Sequence, residues 1–187
     1  MKNLVLTITL CLLVVATISA QRDRTVLGSV DLSGAWGGTQ IALTNFNGEL
    51  AALRGGFGGV ELNKNLFIGG GAYTSSTYSG LNDLSDTYEM SYGGLIVGYG
   101  YKSHKIIHPQ ATLMLGGGWM QEQGVGLDDV FVAQPGLGVE VNVFRWFRVG
   151  LNGGYRIVVN NDSATVDNTF SNGYGSVSFK FGWSWGR

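Results

Sequence analysis

Gln134-Pro135-Gly136-Leu137-Gly138-Val139-Glu140-Val141-Asn142-Val143-Phe144-Arg145-Trp146-Phe147-Arg148-Val149-Gly150 is the stretch from which the rest of the chain can be read. With the residues just before it, Phe131, Ala133, Leu137, Val139, Val141 and Val143 fall on one face of a strand. Gln134, Glu140 and Asn142 fall on the other. Period two is the signature of an extended chain, whose side chains alternate between faces. Phe144-Arg145-Trp146 is long enough only for a tight turn. The alternation then resumes, with Phe147, Val149, Leu151, Tyr155, Ile157 and Val159 opposite Arg148, Asn152 and Arg156. The stretch is therefore an antiparallel hairpin with one bulky apolar face and one polar face.

Working outward, the same pattern recurs to both ends. Eight runs are legible: Gly34 to Thr44, Ala51 to Leu62, Leu66 to Ser75, Tyr88 to Tyr101, Gln110 to Gln121, Val130 to Val143, Phe147 to Val159 and Gly173 to Trp185. In the last, Val177, Phe179, Phe181, Trp183 and Trp185 oppose Ser176, Ser178, Lys180 and Ser184. Each run has about ten to fourteen residues, whereas soluble strands average about 5–6 and tilted membrane-spanning strands need about 9–11. The connections alternate. Asn63-Lys64-Asn65, Lys102 to Pro109 and Phe144-Arg145-Trp146 are short or compact. Ser76 to Thr87, Glu122 to Asp129 and Asn160 to Asn172 are longer and polar, and the six-residue Asn45 to Leu50 breaks the rule. Alternating short turns and long loops belong to an up-and-down barrel in an outer membrane. The expected fold is all-β, an eight-stranded antiparallel transmembrane β-barrel.

Composition decides which face meets lipid. Gly accounts for 31 of 187 residues, charged residues for 13% and aromatics for 12%. The bulky faces would overfill an eight-stranded interior, which has room only for the side chains of its own wall. The opposite faces, rich in Gly and small polar residues, suit a narrow lumen. That lumen is expected to hold Glu61, Glu89, Glu140, Arg148, Arg156 and Lys180, three acids and three bases that neutralise one another, as buried charges must. Phe144, Trp146, Phe147, Trp183 and Trp185 collect at the short-turn end, where an interfacial aromatic girdle belongs. In the third and fourth runs the pattern is ambiguous, with Phe67 and Tyr73, or Leu95 and Val97, on the nominally inward face. Arg54 falls outward and must snorkel near the loop end.

Met1-Lys2-Asn3, the apolar stretch Leu4 to Ile18 and Ser19-Ala20 have the layout of a cleaved secretory signal. The expected organisation is a signal peptide over 1–20, a short periplasmic segment over 21–33 and the barrel over 34–187. The only cysteine, Cys11, leaves with the signal, so disulfides are not expected.

The chain resembles small eight-stranded outer-membrane barrels of the OmpX and OmpA-barrel kind, and more closely the outer-membrane β-barrel proteins frequent in Bacteroidota. The residues that carry this are Gly55-Gly56-Phe57-Gly58-Gly59-Val60-Glu61-Leu62-Asn63-Lys64-Asn65-Leu66-Phe67-Ile68-Gly69-Gly70, the Gln134 to Gly150 stretch, Gly154-Tyr155-Arg156, and Gln21 directly after Ala20. The resemblance implies an outer-membrane location, insertion by the barrel-assembly machinery and contact with outer-membrane lipid. It implies little about activity. Gly186-Arg187 after Trp185 depart from the usual aromatic C-terminus of such barrels.

Motifs for chemistry are sparse. A net charge of −1 gives nucleic-acid binding no electrostatic support. His104 and His108 are spaced i, i+4, but Pro109 makes the segment a turn, so a solvated turn is expected and not a metal site. Asp128-Asp129, and Asp83 with Asp86, lie in polar loops without Ca²⁺-loop spacing. Ser75, Ser76 and Ser79 lack a His partner at their end of the barrel. Gly116-Gly117-Gly118 has neither a following helix nor the Lys-Ser/Thr of a phosphate loop. The expectation is a non-enzymatic barrel without cofactor or metal, with a structural or surface-interaction role through its outer loops. Leu32-Ser33-Gly34-Ala35-Trp36 keeps open a soluble lipocalin-like barrel holding a hydrophobic ligand. A narrow pore is the third reading, which a charge-filled lumen opposes.

Overall fold

The computed structural model describes residues 30–46, 49–77, 88–122, 125–160, 165–167 and 170–185. The signal segment, Asp83, Asp86 and Ser79 lie outside them. The chain divides into two units, Met1–Asp31, of which only the last two residues are described, and Leu32–Arg187. The second is built from β1 (Leu32–Phe46), β2 (Glu49–Leu62), β3 (Leu66–Thr77), β4 (Tyr88–Gly100), β5 (Ile107–Glu122), β6 (Val125–Phe144), β7 (Phe147–Tyr155), β8 (Ile157–Asn160), β9 (Thr165–Val166) and β10 (Gly173–Ser184).

Neighbours in sequence pair antiparallel from β1 through β7, and β10 pairs with both β7 and β1. The sheet closes on itself as an up-and-down barrel. β7 and β8 are one stave interrupted at Arg156, since both pair with β6. That leaves eight staves, with two-residue β9 added to β8 beyond the rim. Closure matters because it removes sheet edges.

Side chains alternate strictly about this wall. Along β1, Trp36, Ala42, Thr44 and Phe46 are buried while Ile41 and Leu43 are exposed. The bulky apolar faces of β6, β7 and β10 point outward: Leu137 is 71% exposed, Leu151 59% and Trp183 66%. Soluble barrels turn such faces inward. Among the inward positions, several glycines are required by the tight bending of the wall. A Cβ on Gly38 would lie 2.1 Å from the Phe179 carbonyl oxygen, and one on Gly94 2.2 Å from that of Leu115.

The structure corrects the expected strand limits in three places. β6 begins at Val125 and stays paired with β5 as far as Glu122, so Glu122 and Val125 to Asp129 belong to strands and not to a loop. β5 begins at Ile107, which takes His108 and Pro109 out of the turn and into the wall. The seventh run breaks at Arg156, where the stave loses its partner β10 and gains β9. The ambiguity in the third and fourth runs also resolves. Phe67 and Tyr73 face inward, whereas Leu95 and Val97 lie outward.

The turn end is tied shut locally. Asn63 and Lys64 both adopt positive φ, 50° and 61°, an unusual state for residues with a side chain. Ser33 holds them there: its hydroxyl accepts from the Lys64 amide at 2.7 Å and donates to the Glu61 carbonyl at 3.0 Å.

Candidate functional site: the two ends of the lumen

Inward side chains sort into two layers. At the turn end, β2, β5, β6, β7 and β10 each contribute a polar group to one cluster. Arg148 Nη1 lies 3.0 Å from Glu61 Oε1 and 3.3 Å from Glu140 Oε1. Lys180 Nζ donates to Glu140 Oε2, and to Gln110 Oε1 at 3.2 Å. His108 Nε2 stands 3.4 Å from Glu140 Oε1, with Nδ1 held by the Lys105 carbonyl at 3.2 Å. Ser184 donates to Glu61 Oε2. The Arg148 guanidinium also stacks 3.8 Å from the Trp36 ring centroid. Two carboxylates thus face an arginine and a lysine, with a histidine beside them, in a layer where Glu61, Glu140 and His108 are all buried. Charges taken out of water persist only with such partners.

Four of the six residues expected in the lumen network, Glu61, Glu140, Arg148 and Lys180, meet here. Two do not. Glu89 is exposed and shares the outward face of β4 with Leu95 and Val97, so the expectation that it lines the lumen is corrected. Arg156 is fully buried but belongs to the loop end. Its Nε and Nη2 donate to the Phe170 carbonyl at 3.2 and 3.1 Å, and Nη2 reaches Thr44 Oγ1 at 3.4 Å. Phe46 lies 5.0 Å from its guanidinium carbon. No carboxylate among the described residues pairs with it. His108 is a further correction: it is buried against Glu140 and is not in a solvated turn. His104 is exposed.

The loop-end layer is apolar, contrary to the expectation of a lumen of glycine, small polar groups and charges. Phe46, Leu53, Met90, Met120, Val132 and Val158 form a buried cluster. Tyr73 and Tyr92 stack beneath it at 5.5 Å. Phe170, from the segment after β9, is 1% exposed and packs on Phe46 at 4.9 Å. Ser75 is buried, and its hydroxyl accepts from the Met90 amide at 2.8 Å. Asp128 and Asp129 are exposed near the tip of the β5–β6 hairpin.

The turn-end half of the lumen holds a cavity of about 80 Å³ that includes the charged cluster and runs from Tyr73 and Gln134 to Lys64, Asn65 and Ser103 at the turns. Drug-sized ligands occupy pockets of roughly 300–1,000 Å³, while a water needs about 10–15 Å³. The chamber suits a few waters and is too small for a lipocalin-type guest.

At the turn end the outer surface carries the aromatic cluster. Phe144, Trp146, Phe181, Trp183 and Trp185 are exposed and Phe147 is half-buried. Trp146 stacks with Phe144 at 5.5 Å and with Phe181 at 6.2 Å, and Phe147 meets Phe181 at 4.9 Å.

No protein-family model matches the chain, and no curated protein matches it. Solved structures do. Neisserial surface protein A aligns over 84% of this chain and 99% of its own, with a TM-score of 0.58 at 12% identity. Ail, the attachment invasion locus protein of Yersinia pestis, aligns over 83% of this chain and 100% of its own at 11% identity, with a TM-score of 0.49. At such identity the first likeness establishes the fold, that of a small eight-stranded outer-membrane-type barrel, and the second carries no weight.

Proposed function

We propose that this chain is a non-enzymatic integral protein of the outer membrane. In this reading its interior is closed at both ends and its work is done at the surface: support of the envelope, contact with other molecules, or membership of a larger envelope complex. The carrying observation is the inverted wall, with Leu137, Leu151 and Trp183 outside and Glu140, Arg148 and Lys180 paired inside. Lipid is the solvent that makes such a wall stable, because a closed barrel satisfies its backbone internally and this one turns its bulky apolar faces outward. In this reading the charged turn-end layer and the loop-end cluster oppose passage of a solute through so narrow a barrel. Of the longest polar loops, Ser76 to Thr87 lies mostly and Asn160 to Asn172 partly outside the described residues. They are the expected contact surfaces, since loops on a rigid scaffold vary most freely.

Flotation of the refolded chain with phospholipid vesicles, followed by planar-bilayer recording, tests both parts. The chain should float with the vesicles and show no steady unitary conductance. A water-soluble chain would overturn the membrane reading. Reproducible conductance that Gly150→Trp abolishes would establish a pore.

A further inference from the structure

The outward wall is not uniformly covered. Strand register places Arg54, Thr74, Ser91 and Trp119 side by side in one row across β2 to β5. The next row toward the turns is Gly56, Ala72, Gly93 and Gly117. One row further, on β4 and β5, stand Leu95 and Leu115, which are 53% and 40% exposed. The middle row is therefore the bare floor of a trough. Arg54 and Trp119 stand on its loop side and two leucines on its turn side. Rows two residues apart are separated by about 6.6 Å, so the walls stand roughly 13 Å apart, wider than one acyl chain.

Glycine here is not a requirement of the wall. On Gly56 a Cβ would meet nothing nearer than 3.5 Å, whereas on Gly117 and Gly93 the nearest backbone oxygen would stand at 3.3 and 3.1 Å, close enough that the neighbour must yield slightly. Inward glycines such as Gly38 and Gly94 would clash outright. A side chain would fit freely at Gly56 and with a small adjustment at Gly117, and neither position carries one.

Arg54 is the second observation. It is exposed on the lipid-facing side, between apolar neighbours Ile41 and Leu43 on β1 and Leu50 further along β2. No carboxylate among the described residues pairs with it. It stands eight residues from Leu62, about 20 Å above the turns at ordinary strand rise and tilt, near the loop-side edge of a belt about 25 Å tall. From near that edge the guanidinium can reach the headgroup level, where the phosphates of anionic lipids lie. Ser91 and Thr74 hydroxyls, 2.8 Å apart on the same row, offer further hydrogen-bonding groups.

We propose that this trough binds one phosphate-bearing anionic lipid. Its headgroup phosphate lies on Arg54 with the Thr74 and Ser91 hydroxyls, and an acyl chain lies along Gly56, Ala72, Gly93 and Gly117 against Trp119. Guanidinium donors suit phosphate oxygens, which accept two parallel bonds from one fork. The proposal rests on the membrane reading above.

Native mass spectrometry of the full chain, reconstituted in equimolar phosphatidylglycerol and phosphatidylcholine, tests it. The wild type should retain one phosphatidylglycerol in preference to phosphatidylcholine. Arg54→Gln should lower that preference about fivefold, the effect of one cation at a membrane surface, and Arg54→Lys should restore part of it. Gly117→Leu, whose side chain would occupy the floor, should lower retention of both lipids. Each variant is checked for barrel formation by far-UV circular dichroism and for flotation. A wild type that floats but retains the two lipids equally overturns the site and leaves the membrane reading intact. So do floating Arg54→Gln and Gly117→Leu variants that retain lipid as the wild type does. A wild type that does not float overturns both.

Discussion

Glu140→Gln is the sharpest perturbation of the interior. The substitution keeps shape and volume and removes one negative charge from a residue that is 2% exposed. Its carboxylate serves three groups: Lys180, Arg148 at 3.3 Å and His108 at 3.4 Å. Breaking a fully buried ion pair costs about 3–5 kcal/mol, mainly because the surviving charge is left unpaired. The loss here is smaller. The Lys180 side chain retains 16% exposure, and Arg148 keeps Glu61 at 3.0 Å. We expect a destabilisation of about 2–3 kcal/mol, falling chiefly on Lys180, whose remaining hydrogen bond is to neutral Gln110. A double-mutant cycle with Lys180→Met should therefore return a coupling of about 1–3 kcal/mol, within the range for residues in one network. The same cycle with Arg148→Met should return less, because Glu61 still compensates Arg148. Equilibrium urea unfolding in phospholipid vesicles, followed by far-UV circular dichroism, reads both. Coupling to Lys180 below about 0.5 kcal/mol, the error of additivity, would refute the reasoning. A larger coupling to Arg148 than to Lys180 would refute it equally.

Other expectations follow from the same layers. Phe170→Ala should cost about 3–5 kcal/mol, the usual range for a buried phenylalanine, and should speed proteolysis at the loop end. Arg156→Met should cost about 1–3 kcal/mol, because the buried Phe170 carbonyl and Thr44 hydroxyl lose their guanidinium donors, whereas Arg148→Met should cost more because it strands Glu61; vesicle unfolding compares the two. Leu151→Arg should cost about 2–4 kcal/mol if residue 151 lies near the midplane, measured by the same unfolding.

Much of the architecture is legible in sequence because strand faces speak with period two. Apart from inward Val132 and Val158, the Phe131–Val143, Phe147–Val159 and Val177–Trp185 patterns separate apolar from polar residues, and these faces point as read. β4 is mute by contrast. Met90, Tyr92 and Ile96 on one side answer Leu95, Val97 and Tyr99 on the other, so alternation cannot orient Glu89. The apolar loop-end layer escapes sequence reading for a related reason. Inward glycines on neighbouring strands leave volume that Phe46, Met90 and Met120 fill, and that balance exists only once the strands are side by side. Phe170 is an isolated aromatic in a polar segment, with no periodicity to mark it as buried. His108 is hidden by Pro109, which reads as a turn but stands on the outward face of β5 opposite Val139. Only the spacing of Glu140 and Arg148 across one tight hairpin announces the turn-end cluster in advance. Lys180 joins it from a strand 40 residues away.

Collision accessibility of nitroxides placed singly along β6, β7 and β10 in bilayers addresses the inverted wall most directly. Labels at Val139, Leu151 and Phe179 should be accessible to molecular oxygen and shielded from a water-soluble nickel chelate. Labels at Asn152 and Ser178 should be shielded from both. High chelate accessibility at Leu151 and Phe179 together with oxygen accessibility at Asn152 would place water where this account places lipid, and would contradict it.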